Sequence, residues 1–200
     1  MNFTELQSVF ETIYREDRWT NGSGPGSLPK HTIGYRAFLS KFLVENNIST
    51  VTDLGCGDWQ STRLLDWSGI HYIGLDVVPW LIERNIEMFR APNIEFRHMT
   101  SLNDLPGGDL CLCKEVLQHL SNADVQAHID AISQRYRFGL ITNCVEPQEE
   151  INYDIEVGGA RPLRLDREPF NAKGCCVFTY NPQSGSWIFK NHVFLLFGKG

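Results

Sequence analysis

No run of about eighteen apolar residues occurs in the 200-residue chain, so no segment is built to cross a bilayer as a helix. Basic residues are in deficit: 18 Lys and Arg stand against 24 Asp and Glu, a formal net charge of −6. A protein that coats nucleic acid needs a basic face to neutralise phosphates, and the charge speaks against that partner. Internal repeats and low-complexity tracts are missing. Met1-Asn2-Phe3-Thr4-Glu5 lacks the basic start and apolar stretch of a secretory leader, so a cytoplasmic protein is expected. Metal-ligand spacing is missing too. Cys111-x-Cys113 is the nearest to it, and no metal is expected. The six cysteines lie in a glycine loop, in apolar runs or side by side, and read as small apolar thiols rather than a disulfide frame.

What is present is globular: 42% apolar and 12% aromatic residues. The length suits one domain over residues 1–200. Thr4 and Gln7 read as a capping box. Leu6, Val9, Phe10, Ile13 and Tyr14 then mark one helical face. Asn21 to Ser27 is a Gly-Ser loop. Ser27, with Pro29 in the first turn, is expected to start a second helix through Tyr35, Phe38, Leu39, Phe42 and Leu43. Strands and helices then alternate. Strands are expected at Ser49–Leu54, His71–Leu75, Asn93–Arg97, Asp109–Cys113 and Phe138–Asn143. Helices are expected at about Trp59–Trp67, Pro79–Phe89, Glu115–Leu120 and Ala123–Tyr136. Such alternation implies a parallel sheet with helices on both faces. Cys175–Tyr180 and Trp187–Phe197 are joined by a loop too short for a crossover helix, so this pair is expected to be antiparallel.

The first strand runs into Gly55-Cys56-Gly57, where glycine permits tight turns and close approach of a ligand. Asp76 ends the second strand and is placed to accept both hydroxyls of a ribose. Strand, Gly-x-Gly and an acid at the next strand end point to an adenosine-type ligand. A dinucleotide prefers a third glycine, and Gln60 stands there. Asp58 would repel a pyrophosphate yet suits an ammonium group, which favours S-adenosyl-L-methionine over NAD.

Asp53-Leu54-Gly55-Cys56-Gly57 resembles the glycine motif of class I S-adenosylmethionine-dependent methyltransferases, and Tyr72-Ile73-Gly74-Leu75-Asp76 resembles their ribose motif. Asp109 to Leu120, ending in His119-Leu120, is similar to the fourth-strand motif of the small-molecule branch. The likeness covers about residues 30–200. The Trp19–Ser27 loop and Gly159–Leu163 also look like a little-characterised microbial and phage subgroup. The resemblance implies an α/β, Rossmann-like, mostly parallel seven-stranded sheet with an antiparallel last strand. To it are added two N-terminal helices, with residues 1–27 as helix and lid loop and 28–200 as core. It implies a methyltransferase (class EC 2.1.1) with a donor site from Asp53, Gly55, Cys56, Gly57, Asp58, Trp59, Asp76, Val77, Thr100, Cys113 and Lys114. Two departures stand out. Trp59 follows the glycine turn, and the acid after the third strand that reads adenine is replaced by Met99 or Thr100.

Transfer to an oxygen or nitrogen that starts protonated needs a base. Glu115 and His119 are i, i+4 on an expected helix beside the glycine loop and are the catalytic candidates. Tyr14, Trp19 and Arg161 are the substrate-binding candidates, Arg161 with Arg164 and Arg167 as a grip for an anionic group. A DNA base acceptor is disfavoured, because neither an Asp/Asn-Pro-Pro-aromatic motif nor a Pro-Cys pair occurs. The competing functions are a catalytically silent donor- or partner-binding module and an NAD-type oxidoreductase. The sequence leaves the oligomeric state open.

Overall fold

The computed structural model describes residues 1–146, 150–184, 187–188 and 190–198. Seven strands form one sheet among them: β1 Thr50–Leu54, β2 His71–Asp76, β3 Ile94–His98, β4 Gly108–Lys114, β5 Tyr136–Cys144, β6 Gly174–Tyr180 and β7 Asn191–Phe197. Their order is β3-β2-β1-β4-β5-β7-β6. The first five are parallel, and β7 runs antiparallel to both β5 and β6. This is the expected Rossmann-like architecture. The order reverses between β1 and β4, so their carboxyl ends open the crevice where ligands of such sheets bind. Of the expected terminal run, residues 185, 186 and 189 lie outside the described residues; Gln183–Ser184 and Trp187–Ile188 form a short separate ladder.

The helices are α1 Phe3–Arg15, α2 Ile33–Glu45, α3 Pro79–Phe89 and α4 Asn122–Arg135. Period-two alternation sorts the strand side chains onto two faces. Val51, Tyr72, Leu110, Leu112, Leu140, Val193 and Leu195 pack with Tyr35, Leu39 and Leu43 of α2 and Ile82 of α3. Leu54, Leu75, Cys111, Cys113, Ile141, Phe194 and Leu196 pack with Leu6 of α1 and Val125, Ile129 and Ile132 of α4. All six cysteines are free thiols. Among the described residues no helix is long and apolar enough to span a membrane, and no His/Cys/Asp/Glu group could hold a metal.

Several local expectations are corrected. Asn2, not Thr4, caps α1 by accepting from the Glu5 amide (3.4 Å). The second helix starts at Ile33; Pro25–Ser27 form a 3-10 turn instead. No helix spans Trp59–Trp67. Gly55, Gly57 and Trp59 all take positive φ (73°, 55° and 59°), and the chain continues in turns. Such a run breaks the right-handed geometry a helix needs. Glu115 also has positive φ (56°), so Glu115–Leu120 is no α-helix but a 3-10 turn at Leu117–His119.

Candidate ligand cleft

At the carboxyl ends of β1, β2 and β4 lies a cleft whose floor is the glycine turn. The Gly55 and Cys56 amides donate to the Leu75 carbonyl (2.8 and 3.0 Å), which pins the turn to β2. The Gly57 amide donates to Asp76 Oδ2 and the Val78 amide to Asp76 Oδ1, both at 3.0 Å. A Cβ on Gly55 would strike Val116. A Cβ on Gly57 would strike Ser23 and come 2.8 Å from the Tyr14 hydroxyl. Only glycine fits a turn squeezed in this way and held at positive φ.

The cleft is acidic. Asp53, Asp58, Asp76 and Glu115 all line it, and among the described residues Lys114 is its one formally charged cation. Burial raises the Asp53 carboxyl, although Tyr72 and Thr62 hydroxyls donate to its Oδ2 (2.8 and 3.0 Å). Burial lifts Asp76 to about 6 against the opposing pull of its backbone amides. Asp58 is divided. Its Oδ2 accepts from the Ser23 amide (3.2 Å) and from Gln60, whereas Oδ1 is buried with no partner among the described residues. An unpaired carboxylate oxygen in a low-dielectric cleft is costly, and a donor-bearing ligand relieves that cost.

A roof of N-terminal residues covers the cleft. Phe3, Leu6, Phe10 and Tyr14 of α1 line it with Trp19 and Ser23 of the following loop. Trp19 packs on Phe10 and Tyr14 at ring distances of 5.8 and 5.5 Å. Ser23 Oγ accepts from the Asp58 amide (3.1 Å) and shares a hydrogen bond with the Tyr14 hydroxyl (2.8 Å). Gln60 Nε2 donates to the Asn21 carbonyl (2.7 Å), and Lys114 Nζ to the Gly26 carbonyl (3.2 Å).

Glu115 and His119 meet in this cleft, though not through a shared helix face. Burial pushes Glu115 up, but the charge and hydrogen bond of Lys114, with help from Asn191 Nδ2 (3.1 Å) and His119, leave it below its ordinary value. Burial lowers His119, which stays neutral at neutral pH. Its Nδ1 lies 2.7 Å from the Gly159 carbonyl and must donate to it, so the lone pair sits on Nε2. The ring lies 5.0 Å from that of Trp19.

Gly55, Cys56, Val77, Tyr14 and Trp19 also line the cleft, as the sequence suggests. Gly57 borders it through its bond to Asp76. Four expected residues are elsewhere. The Trp59 ring is buried among Tyr72, Phe89 and Phe96, at centroid distances of 5.1–5.2 Å. Cys113 faces the α4 side of the core. Thr100 is exposed and bonds Asp104, and Met99 takes the place at the cleft. Arg161 is buried and donates to the Leu117 and Gln118 carbonyls and to Asn122 Oδ1 (3.4, 3.0 and 2.9 Å), so it braces the 3-10 turn; it is not among the residues that line the cleft. Arg164 pairs with Asp166. Sequence reasoning misses Phe3, Ser23 and His128. A signal existed for His128: with Val125, Ile129 and Ile132 it falls on the buried stripe of α4.

Neither a protein-family model nor any curated protein matches the sequence. Solved structures share the fold, which is that of S-adenosylmethionine-dependent methyltransferases. A 1,6-didemethyltoxoflavin-N1-methyltransferase of Burkholderia thailandensis, solved with 1,6-didemethyltoxoflavin and S-adenosylhomocysteine, is similar at TM-score 0.68 and 15% identity, over 97% of this chain and 88% of that one. The N-methyltransferase NodS of Bradyrhizobium japonicum is similar at 0.58 and 17%, over 83% and 96%. The magnesium protoporphyrin IX methyltransferase of Synechocystis, with bound S-adenosylhomocysteine, is similar at 0.58 and 14%, over 85% of each chain.

Proposed function

We propose that the chain is an S-adenosylmethionine-dependent methyltransferase that modifies an oxygen or nitrogen of a small molecule. One observation carries the reading: among the described residues four carboxylates and one lysine line the cleft, and Asp58 Oδ1, just past the glycine turn, has no partner. That surface repels the pyrophosphate of NAD and suits a ligand with ammonium, sulfonium and ribose hydroxyl groups. The neighbours named above, two of them solved with S-adenosylhomocysteine, support it.

In this reading Asp76 accepts the ribose hydroxyls, Val77 and Met99 face the adenine, and Asp53 and Asp58 hold the methionine ammonium. Bound S-adenosylmethionine supplies a methyl carbon already activated by a sulfonium leaving group. The protein must then align an acceptor and take its proton. His119 is neutral, its Nε2 lone pair accepts only a long bond from Gln118 Nε2 (3.4 Å), and we assign it the proton. Glu115, below its ordinary value, supplies the charge that steadies the imidazolium. Tyr14 and Trp19 close over the acceptor and exclude water.

Calorimetry with S-adenosylmethionine, S-adenosylhomocysteine and NAD tests the donor. Binding of the first two and not the third is expected, and the reverse order would overturn the assignment. Labelled-methyl transfer into a metabolite extract then separates an enzyme from a silent binding module.

A further inference from the structure

The cleft carries a polar group that the reading above does not use. Where β2 and β3 end, the Met99 amide donates to the Asp76 carbonyl (2.8 Å), so the two strand ends are tied together. A ligand anchored at Asp76 that runs past Val77 meets Met99 next. Met99 belongs to an apolar cluster with Leu6 and Leu120, and Phe3 and Phe10 pack against it. This wall suits a flat aromatic ring. It offers little to read the ring's edge, because the Thr100 hydroxyl is spent on Asp104 Oδ2 (3.1 Å).

His128 is a further residue of the same cleft. It lies on α4 and is only 4% exposed. Its Nδ1 is 2.8 Å from the Asp124 carbonyl one turn earlier, so Nδ1 carries the proton and Nε2 keeps the lone pair. Burial lowers its affinity for a second proton. The lone pair of this neutral ring nitrogen has no partner among the described residues, so it is free to accept a hydrogen bond from a ligand in the cleft.

We infer that His128 Nε2 accepts a hydrogen bond from the exocyclic amine of the donor's adenine and selects a 6-amino over a 6-oxo purine. The inference rests on the donor reading above. The selectivity follows from charge: a 6-oxo group would set a carbonyl lone pair against that of Nε2, and both would stay unpaired in the cleft.

The test compares S-adenosylhomocysteine with S-inosylhomocysteine by calorimetry on the full chain and on His128→Phe and His128→Gln, with melting curves for all three. The parent should prefer the adenine compound by about tenfold or more. His128→Phe should bring the ratio near one by weakening the adenine compound alone. His128→Gln keeps an acceptor oxygen and should restore part of the preference, and it provides the measurement if the Phe variant does not fold. A parent that binds both compounds equally, or a folded variant that keeps the parent's ratio, would overturn the inference and leave the donor site standing. Failure of the parent to bind either compound would overturn both.

Discussion

Asp76 offers the sharpest test, because its raised pKa places a titration where an ordinary aspartate has none. Burial lifts the carboxyl from 3.8 to about 6. Only the ionised form offers both oxygens to ribose hydroxyls, so donor binding requires deprotonation. The apparent Kd then scales as one plus the ratio of protonated to ionised Asp76. With a pKa of about 6, Kd rises about tenfold from about pH 7 to about pH 5 and is nearly flat above pH 7. An unshifted aspartate would change it by less than about a tenth over the same range. Asp76→Asn removes the titration. Loss of a charge-assisted hydrogen bond, ~1.5–3 kcal/mol, weakens the donor about ten- to hundredfold, and the pH dependence between 7 and 5 should flatten. The ligand-free fold responds with the opposite sign. A carboxylate raised in the folded state costs stability above about pH 6, by ~3 kcal/mol for a rise from 3.8, and the cost is relieved as pH falls through about 6. Asp76→Asn removes that penalty, yet it loses one acceptor for the Gly57 or Val78 amide, worth ~1–3 kcal/mol, so its neutral-pH melting temperature should change little. Calorimetric titrations of both proteins across this range provide the check. A parental Kd that stays flat down to pH 5, with the fold intact by circular dichroism, would refute the placement of Asp76 at the ribose.

Three further outcomes are expected. His119→Asn should leave donor Kd near the parent value and lower kcat by about 10²–10⁴-fold; an unchanged rate would make His119 a packing residue. Gly57→Ala puts a Cβ against Ser23 at a positive-φ position, so it should cost ~1–2 kcal/mol and free the 20–28 loop for limited proteolysis; an equally protected loop would argue against the roof contact. Arg161→Met removes a buried brace and should lower the melting temperature while donor affinity per folded molecule holds; selective loss of acceptor binding would return Arg161 to the site.

The sheet was legible because each strand carries its own signal. Apolar runs bounded by turn residues mark β1 to β5, and a six-residue connection too short for a crossover marks the antiparallel end. Asp53, Asp58 and Asp76 were legible for a related reason: Asp53 and Asp76 lie at the ends of neighbouring strands, and Asp58 follows directly on the glycine turn. What failed was local backbone geometry. Trp59 and Glu115 take left-handed φ although neither residue type advertises it, and each positive φ replaces an expected helix by a turn. Trp59 is thereby turned into the core and away from the cleft. Thr100 and Arg161 failed differently. Both have the right chemistry for a ligand, but Asp104 and the carbonyls of Leu117 and Gln118 already hold them. The carbonyls that hold Arg161 come from a distant segment and leave no mark in the nearby sequence, whereas Asp104 lies only four residues past Thr100.

The two oxygens of Asp58 face different clients. Oδ2 holds the Ser23 amide of the roof, and Oδ1 is the vacant acceptor in the cleft. A positive ligand at Oδ1 therefore does not compete with the roof for the same atom. It needs the carboxylate in the orientation that the Ser23 amide holds through Oδ2, and a bound ligand in turn fixes the carboxylate for Ser23. Occupancy and closure are then thermodynamically linked through one side chain. Whatever factor a cationic ligand adds to the closed population, closure adds to the affinity for that ligand. The methionine ammonium assigned to Asp58 is carried by donor and product alike, so the roof should close over S-adenosylhomocysteine as it does over S-adenosylmethionine.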